Sequence, residues 1–93
     1  MVEQACHVII SGRVQGVWFR GWTKQQAAKH GLTGWVRNRS DGSVEAIFQG
    51  RAEDVQSMLN HCRVGPPMAD VVDVDCESIS PENFSNFRQL STI

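Results

Sequence analysis

The chain has 93 residues, 41% hydrophobic and 20% charged, with nine Lys and Arg against ten Asp and Glu for a net charge of −1. That size gives one domain with one modest core, and that composition is globular, not disordered. The near-neutral charge gives no bulk attraction to nucleic acid or an anionic membrane, and no apolar run approaches the ~20 residues of a spanning helix.

In chain order, Cys6-His7-Val8-Ile9-Ile10 is rich in β-branched residues and stops at Ser11-Gly12. It reads as a buried strand. Gly12 to Trp18 reads as an irregular loop punctuated by Gly12 and Gly16. From Phe19 to His30 the composition favours a helix. Phe19, Thr23 and Ala27 share one face, with Trp22 and Gln26 beside them. Gly31 suits a left-handed helix end.

Gly34 to Arg39 reads as a second strand, Asp41-Gly42 as a tight turn, and Ser43 to Gln49 as a third strand. In that third strand Val44, Ala46 and Phe48 alternate with Glu45, Ile47 and Gln49. A second helix follows. Val55, Met58, Leu59 and Cys62 form one apolar stripe. Glu53 and Asp54 favour its positive end, Arg63 its negative end, and Gly65-Pro66-Pro67 stops it. Val72, Val74 and Cys76 alternate with Asp73, Asp75 and Glu77, which predicts a strand with one wet face. Phe84 to Leu90, after Pro81, is a last short strand.

This order predicts an α+β fold: a ferredoxin-like βαββαβ plait, with two helices on one face of an antiparallel sheet and a short extra C-terminal strand. Such a fold hosts many activities, so function has to come from a site.

The segment Gly12-Arg13-Val14-Gln15-Gly16-Val17-Trp18-Phe19-Arg20 joins a buried strand to a helix start. Backbone N–H groups at a helix N-terminus lack intrahelical partners, and the dipole end there is positive. Glycines let successive amides converge into a nest. Arg20 falls in the first turn, where the dipole repels a cation unless an anion offsets it. A phosphate fits, because the guanidinium fork binds it in a bidentate way. The plain alternative is a simple turn with an exposed arginine. Val17 stands where a Walker loop would carry lysine, and no dinucleotide fingerprint is present. In Gly34-Trp35-Val36-Arg37-Asn38-Arg39, Asn38 either begins the turn or presents an amide that donates and accepts at once.

Together the two stretches resemble the signature segments of the acylphosphatases, G-x-V-Q-G-V-x-F-R at Gly12 to Arg20 and G-W-V-R-N-x-x-D-G-x-V-E at Gly34 to Glu45. Length and element order are similar too, so the resemblance spans residues 1–93 as a single acylphosphatase-like domain. It implies an enzyme that hydrolyses the carboxyl–phosphate bond of acyl phosphates to carboxylate and inorganic phosphate. The phosphate would be cradled by the backbone amides of Val14, Gln15, Gly16, Val17 and Trp18 and gripped by Arg20. Asn38 would orient the attacking water. The resemblance implies no metal, no cofactor and no covalent intermediate, with the substrate's own phosphate oxygen as base. Three departures stand out. Arg39 replaces a small polar residue, His30 replaces leucine, and the chain ends Ser91-Thr92-Ile93 without an aromatic residue.

An acylphosphatase-like domain also occurs inside larger carbamoyl-transferring maturation proteins; a chain of this length is expected to be the free-standing enzyme. A nucleic-acid-binding plait is the third alternative, but His7 to Ile10 lack the aromatic residues that stack bases. Trp18, Trp22 and Trp35 are expected to pack or to line the site. His7, His30 and His61 form no metal spacing with Cys6, Cys62 and Cys76. The cysteines are expected to be reduced and mostly buried, and the acidic residues from Asp70 to Glu77 to form solvated strand surface. Met1 to Gln4 opens no signal-peptide pattern. The expectation is a cytoplasmic monomer with a small-molecule substrate and neither nucleic acid nor membrane as partner.

Overall fold

The computed structural model describes residues 3–93. Its elements are β1 (Glu3–Arg13), α1 (Phe19–Lys29), β2 (Thr33–Asn38), β3 (Val44–Arg51), α2 (Ala52–Val64), β4 (Asp70–Ile79) and β5 (Phe87–Gln89). The strands form one sheet in the order β4-β1-β3-β2-β5. The first four pair antiparallel, and β5 joins β2 in parallel. This is the expected ferredoxin-like plait, with the last strand making the sheet mixed.

Register explains the core. Val8 lies opposite Ala46 on one side and Cys76 on the other, and Val36 also lies opposite Ala46. One face of the sheet thus carries Cys6, Val8, Ile10, Val36, Val44, Ala46 and Phe48, all buried. Both helices cover that face: α1 packs on β2 and β5, and α2 on β1, β3 and β4. Phe19, Thr23 and Ala27 are the buried side of α1, and Val55, Met58, Leu59 and Cys62 that of α2, as their spacing predicts. Each larger one of these side chains contributes about 1.5–3 kcal/mol when fully buried, more than an exposed ion pair supplies.

Three local expectations change. β1 runs on to Arg13, so Gly12 lies in the strand and the loop is confined to residues 14–18. Register shifts there: Ser11 pairs with Asp73, but Gly12 pairs with Val71. Val72 is the extra residue of this bulge and is 78% exposed instead of facing the core. Gly12 has φ 118, and a Cβ on it would stand 2.3 Å from the Asp70 carbonyl oxygen. Its small size serves the close approach of β4, not the curl of the loop. Cys76, opposite Val8 on an edge strand, is exposed, while Cys6 and Cys62 are buried free thiols. The last strand shrinks to Phe87–Gln89, because the chain beyond it follows β2 through isolated backbone bonds.

Candidate active site

The loop from Val14 to Trp18 leaves β1 and enters α1. Val14 is its buried anchor. Gly16 has φ 72, and Trp18 is the only non-glycine residue with positive φ among the described residues, at 66°. A left-handed conformation costs a bulky side chain about 1–3 kcal/mol. Trp18 is also the N-cap of α1, and its side chain forms no capping hydrogen bond. The first turn of α1 holds no acidic residue. The positive end of this helix is therefore uncapped, and Arg20 stands in it. Among the described residues, none of the loop and turn backbone bonds uses an N–H of residues 14–18 as donor. No ion pair of the described residues involves Arg20.

Asn38 is the last residue of β2, paired with Val44. Its carbonyl accepts from the Ile93 N–H at 3.2 Å, and the Ser40 N–H donates to the Ile93 carbonyl at 2.7 Å. The C-terminal segment thus braces the backbone that carries Asn38. On the other side Arg39 N–H donates to Ser43 carbonyl at 2.9 Å. Asp41 Oδ1 accepts from both the N–H and the hydroxyl of Ser43, at 2.9 and 2.6 Å. The Ser43 bonds hold the Asp41 carboxyl below its ordinary range, with the Arg39 charge adding to them. The turn is wider than a two-residue hairpin. Only Gly42 uses positive φ, and Asp41 serves by its side chain. Arg39, one of the departures noted in the sequence, leans on Asp41, Nη2 to Oδ2 at 3.7 Å.

Loop and hairpin meet. Gln15 donates both amide hydrogens across the gap, to the Arg39 carbonyl at 2.7 Å and the Ser43 carbonyl at 2.8 Å. From the sequence, Gln15 is expected to contribute only its backbone amide; its side chain is the tie. The available signal was one long amide side chain in an otherwise apolar and glycine loop. Beside this contact lies a cavity of about 250 Å³, lined by Arg20 and Asn38, by Val14, Gly16, Trp18 and Phe19, and by Gln89 of β5. Gln89 had no sequence signal, since its place depends on the parallel pairing of β5. Gln15 and Val17 do not line this cavity.

The lining contains no His, Cys, Asp or Glu. Among the described residues, no three such side chains gather as a metal-ligand group. The buried thiols are not activated: burial pushes Cys62 up to about 12, and burial together with the Cys76 thiol pushes Cys6 up to about 11. What remains is a concave surface with amide donors, one guanidinium and two carboxamides, those of Asn38 and Gln89, which suits a small oxyanion and a water beside it.

A ferredoxin-like α+β domain whose first strand and first helix are joined by such a loop has a place for a small oxyanion, and comparison with known proteins resolves it further. The sequence model of the acylphosphatase family matches residues 6–89. An acylphosphatase of Rhodospirillum rubrum is 51% identical over 86 residues, covering 92% of this chain and 94% of that protein. One of Rhizorhabdus wittichii is 47% identical over 89 residues, covering 96% and 90%. The structure of an acylphosphatase from Coxiella burnetii superposes with a TM-score of 0.92 at 40% identity, covering 95% of this chain and 93% of that one. This chain belongs to the acylphosphatase family. It is an enzyme that hydrolyses acyl phosphates.

Proposed function

We propose that hydrolysis proceeds by attack of a water oriented by Asn38 on a phosphoryl group held by Arg20 and the amides of Val14, Gln15, Gly16, Val17 and Trp18. The observation that carries this reading is the shared cavity of Arg20 and Asn38 at the uncapped start of α1. An anion there meets unpartnered N–H groups and a positive dipole end. The bound phosphoryl group also relieves the unfavourable position of Arg20.

Asn38 is suited to its task because a carboxamide accepts one hydrogen bond from water and donates another, holding it without removing its proton. The proton then passes to a phosphoryl oxygen of the substrate, a route supported by the lack of any carboxylate or imidazole in the lining. As the P–O bond to the carboxylate breaks, charge spreads over the equatorial oxygens, where Arg20 and the amides stabilise it. An acyl phosphate is already an activated anhydride. Positioning and charge stabilisation therefore supply most of the needed rate.

The test is steady-state hydrolysis of benzoyl phosphate with EDTA present. Asn38→Ala lowers kcat by about 10²–10³-fold or more while inhibition by phosphate is largely kept. Arg20→Ala damages both by a similar order. Full activity in Asn38→Ala refutes the assignment of roles, and loss of wild-type activity in EDTA refutes a metal-independent mechanism. The same reading makes the enzyme a cytoplasmic monomer acting on a small molecule without nucleic acid, which size-exclusion chromatography and cell fractionation check.

A further inference from the structure

Trp18 combines three features that a merely connecting residue does not need. It keeps a left-handed backbone, with φ 66. Its side chain stays 60% exposed. It lines the cavity that holds Arg20 and Asn38. The indole is also held in place. A Cβ added to Gly21 would stand 2.3 Å from Trp18 Nε1 and 2.4 Å from its Cε2, so the ring edge rests on the bare backbone of α1. Val14 and Phe19, the other large apolar residues of the lining, are almost fully buried. Trp18 is the one that offers apolar surface to a ligand.

We propose that Trp18 is the acyl subsite, an aromatic platform that selects acyl phosphates with an aromatic or bulky apolar acyl group over short ones. The proposal rests on the phosphoryl group lying at the loop beside Arg20. With the phosphoryl oxygens on backbone amides and guanidinium, the bond to the acyl group points out of the cradle. The acyl group then meets the rim, and the rim's exposed apolar side chain is the indole. An aromatic acyl group stacks on it and removes apolar surface of both partners from water. An acetyl group is too small to cover the ring. The ring edge resting on Gly21 fixes the platform in advance, so little side-chain freedom is lost on binding.

The experiment compares kcat/KM for benzoyl phosphate and acetyl phosphate in wild type, Trp18→Asn, Trp18→Gly and Trp18→Phe, with the inhibition constant of inorganic phosphate measured alongside. Asparagine and glycine tolerate positive φ, so those variants remove the ring and keep the backbone. The intrinsic reactivities of the two substrates cancel when the ratio is compared between variants. Trp18→Asn and Trp18→Gly lower the benzoyl-to-acetyl ratio roughly fivefold to tenfold, and Trp18→Phe keeps it within about twofold of wild type. Phosphate inhibition reports any change in the loop amides, Trp18's own included, and the fall in the benzoyl-to-acetyl ratio exceeds any change in phosphate affinity, because only the acyl group reaches the ring. An unchanged ratio in both ring-deleted variants, or equal losses on the two substrates, overturns the proposal. A failed assignment of Asn38 and Arg20 is distinguishable, since it would appear as full turnover in Asn38→Ala with the wild-type ratio intact.

Discussion

Gln15 has two donors and uses both on carbonyls of the Asn38 hairpin, at 2.7 and 2.8 Å. The Val14–Trp18 loop and the strand that carries Asn38 have no chain connection shorter than all of α1, so this side chain ties them directly. Gln15→Ala leaves each half of the site with its own local geometry but loosens their relative position. Because a displacement of about 1 Å costs on the order of 10²-fold in rate, Gln15→Ala is expected to lower kcat by about 10–100-fold. Phosphate inhibition should weaken much less, since the loop amides and Arg20 remain. Gln15→Glu should do worse than alanine, for a carboxylate would face two carbonyl oxygens with no proton to offer. Kinetics at a temperature where each variant is fully folded checks this; parallel losses in kcat and phosphate affinity would count against it. At this scale the sequence was legible where chemistry shows in residue type. Arg20 against the helix dipole and Asn38 near a strand end stand out in the sequence. The side-chain placements of Gln15, Trp18 and Gln89 do not, because they depend on a cross-chain contact, a backbone dihedral angle and a parallel strand pairing.

Element by element, β2 carries the least obvious constraint. Gly34 lies opposite Phe48 of β3 and beside Phe87 of β5. Those two rings stack across it, with centroids 5.7 Å apart and planes at 13°. Gly34 itself has φ 130, and a Cβ on it would sit 1.9 Å from the Ile47 carbonyl oxygen. Gly34→Ala must therefore move a backbone of the central sheet and strain its own dihedral angle, at a combined cost of about 2–5 kcal/mol. For a domain of this size that lowers Tm by about 10 °C or more. A melt within about 2 °C of wild type would show that β2 and β3 separate at little cost. The helices and the hairpin were readable beforehand because their apolar spacing carries the signal: Val55, Met58, Leu59 and Cys62 in α2, and Val44, Ala46 and Phe48 in β3, are all buried. The β1–β4 bulge was not, since Gly12 looks the same in sequence whether it opens a loop or admits a neighbouring strand. Nor was the parallel β5, which spans Phe87–Gln89 and leaves too short a run to show any period.

Across the whole molecule, the sheet face away from the helices is not an idle surface. His7 of β1, Arg37 of β2 and Glu45 of β3 meet on it. His7 Nε2 lies 2.6 Å from Glu45 Oε2, and Arg37 Nε donates to Glu45 Oε1 at 2.8 Å. The Arg37 guanidinium lies 4.6 Å above the Trp35 ring. Trp35, Arg37 and Glu45 belong to the signature hairpin yet stand outside the Arg20–Asn38 cavity. That part of the signature thus joins the three strands that position the other part. Burial alone would raise the Glu45 carboxyl, but the bonds from His7 and Arg37 outweigh it and hold the pKa below its ordinary 4.5. A depressed folded-state pKa gives stability that is present above the unfolded value and is lost as pH falls through the folded one. The stabilisation from Glu45 is therefore complete at neutral pH and fades below about pH 4.5. Glu45→Gln removes the charge and should cost about 1.5–3 kcal/mol at pH 7, the range for a hydrogen bond to an ionised group. Benzoyl phosphate turnover should stay within about twofold of wild type, since Glu45 lies outside the site and the fold survives a loss of this size. The decisive measurement is denaturant unfolding of both proteins from pH 7 to pH 3. The gap between them should close as the acid protonates Glu45 in the wild type. A gap of constant size across that range would mean that Glu45 supports the sheet by shape, with its charge contributing nothing.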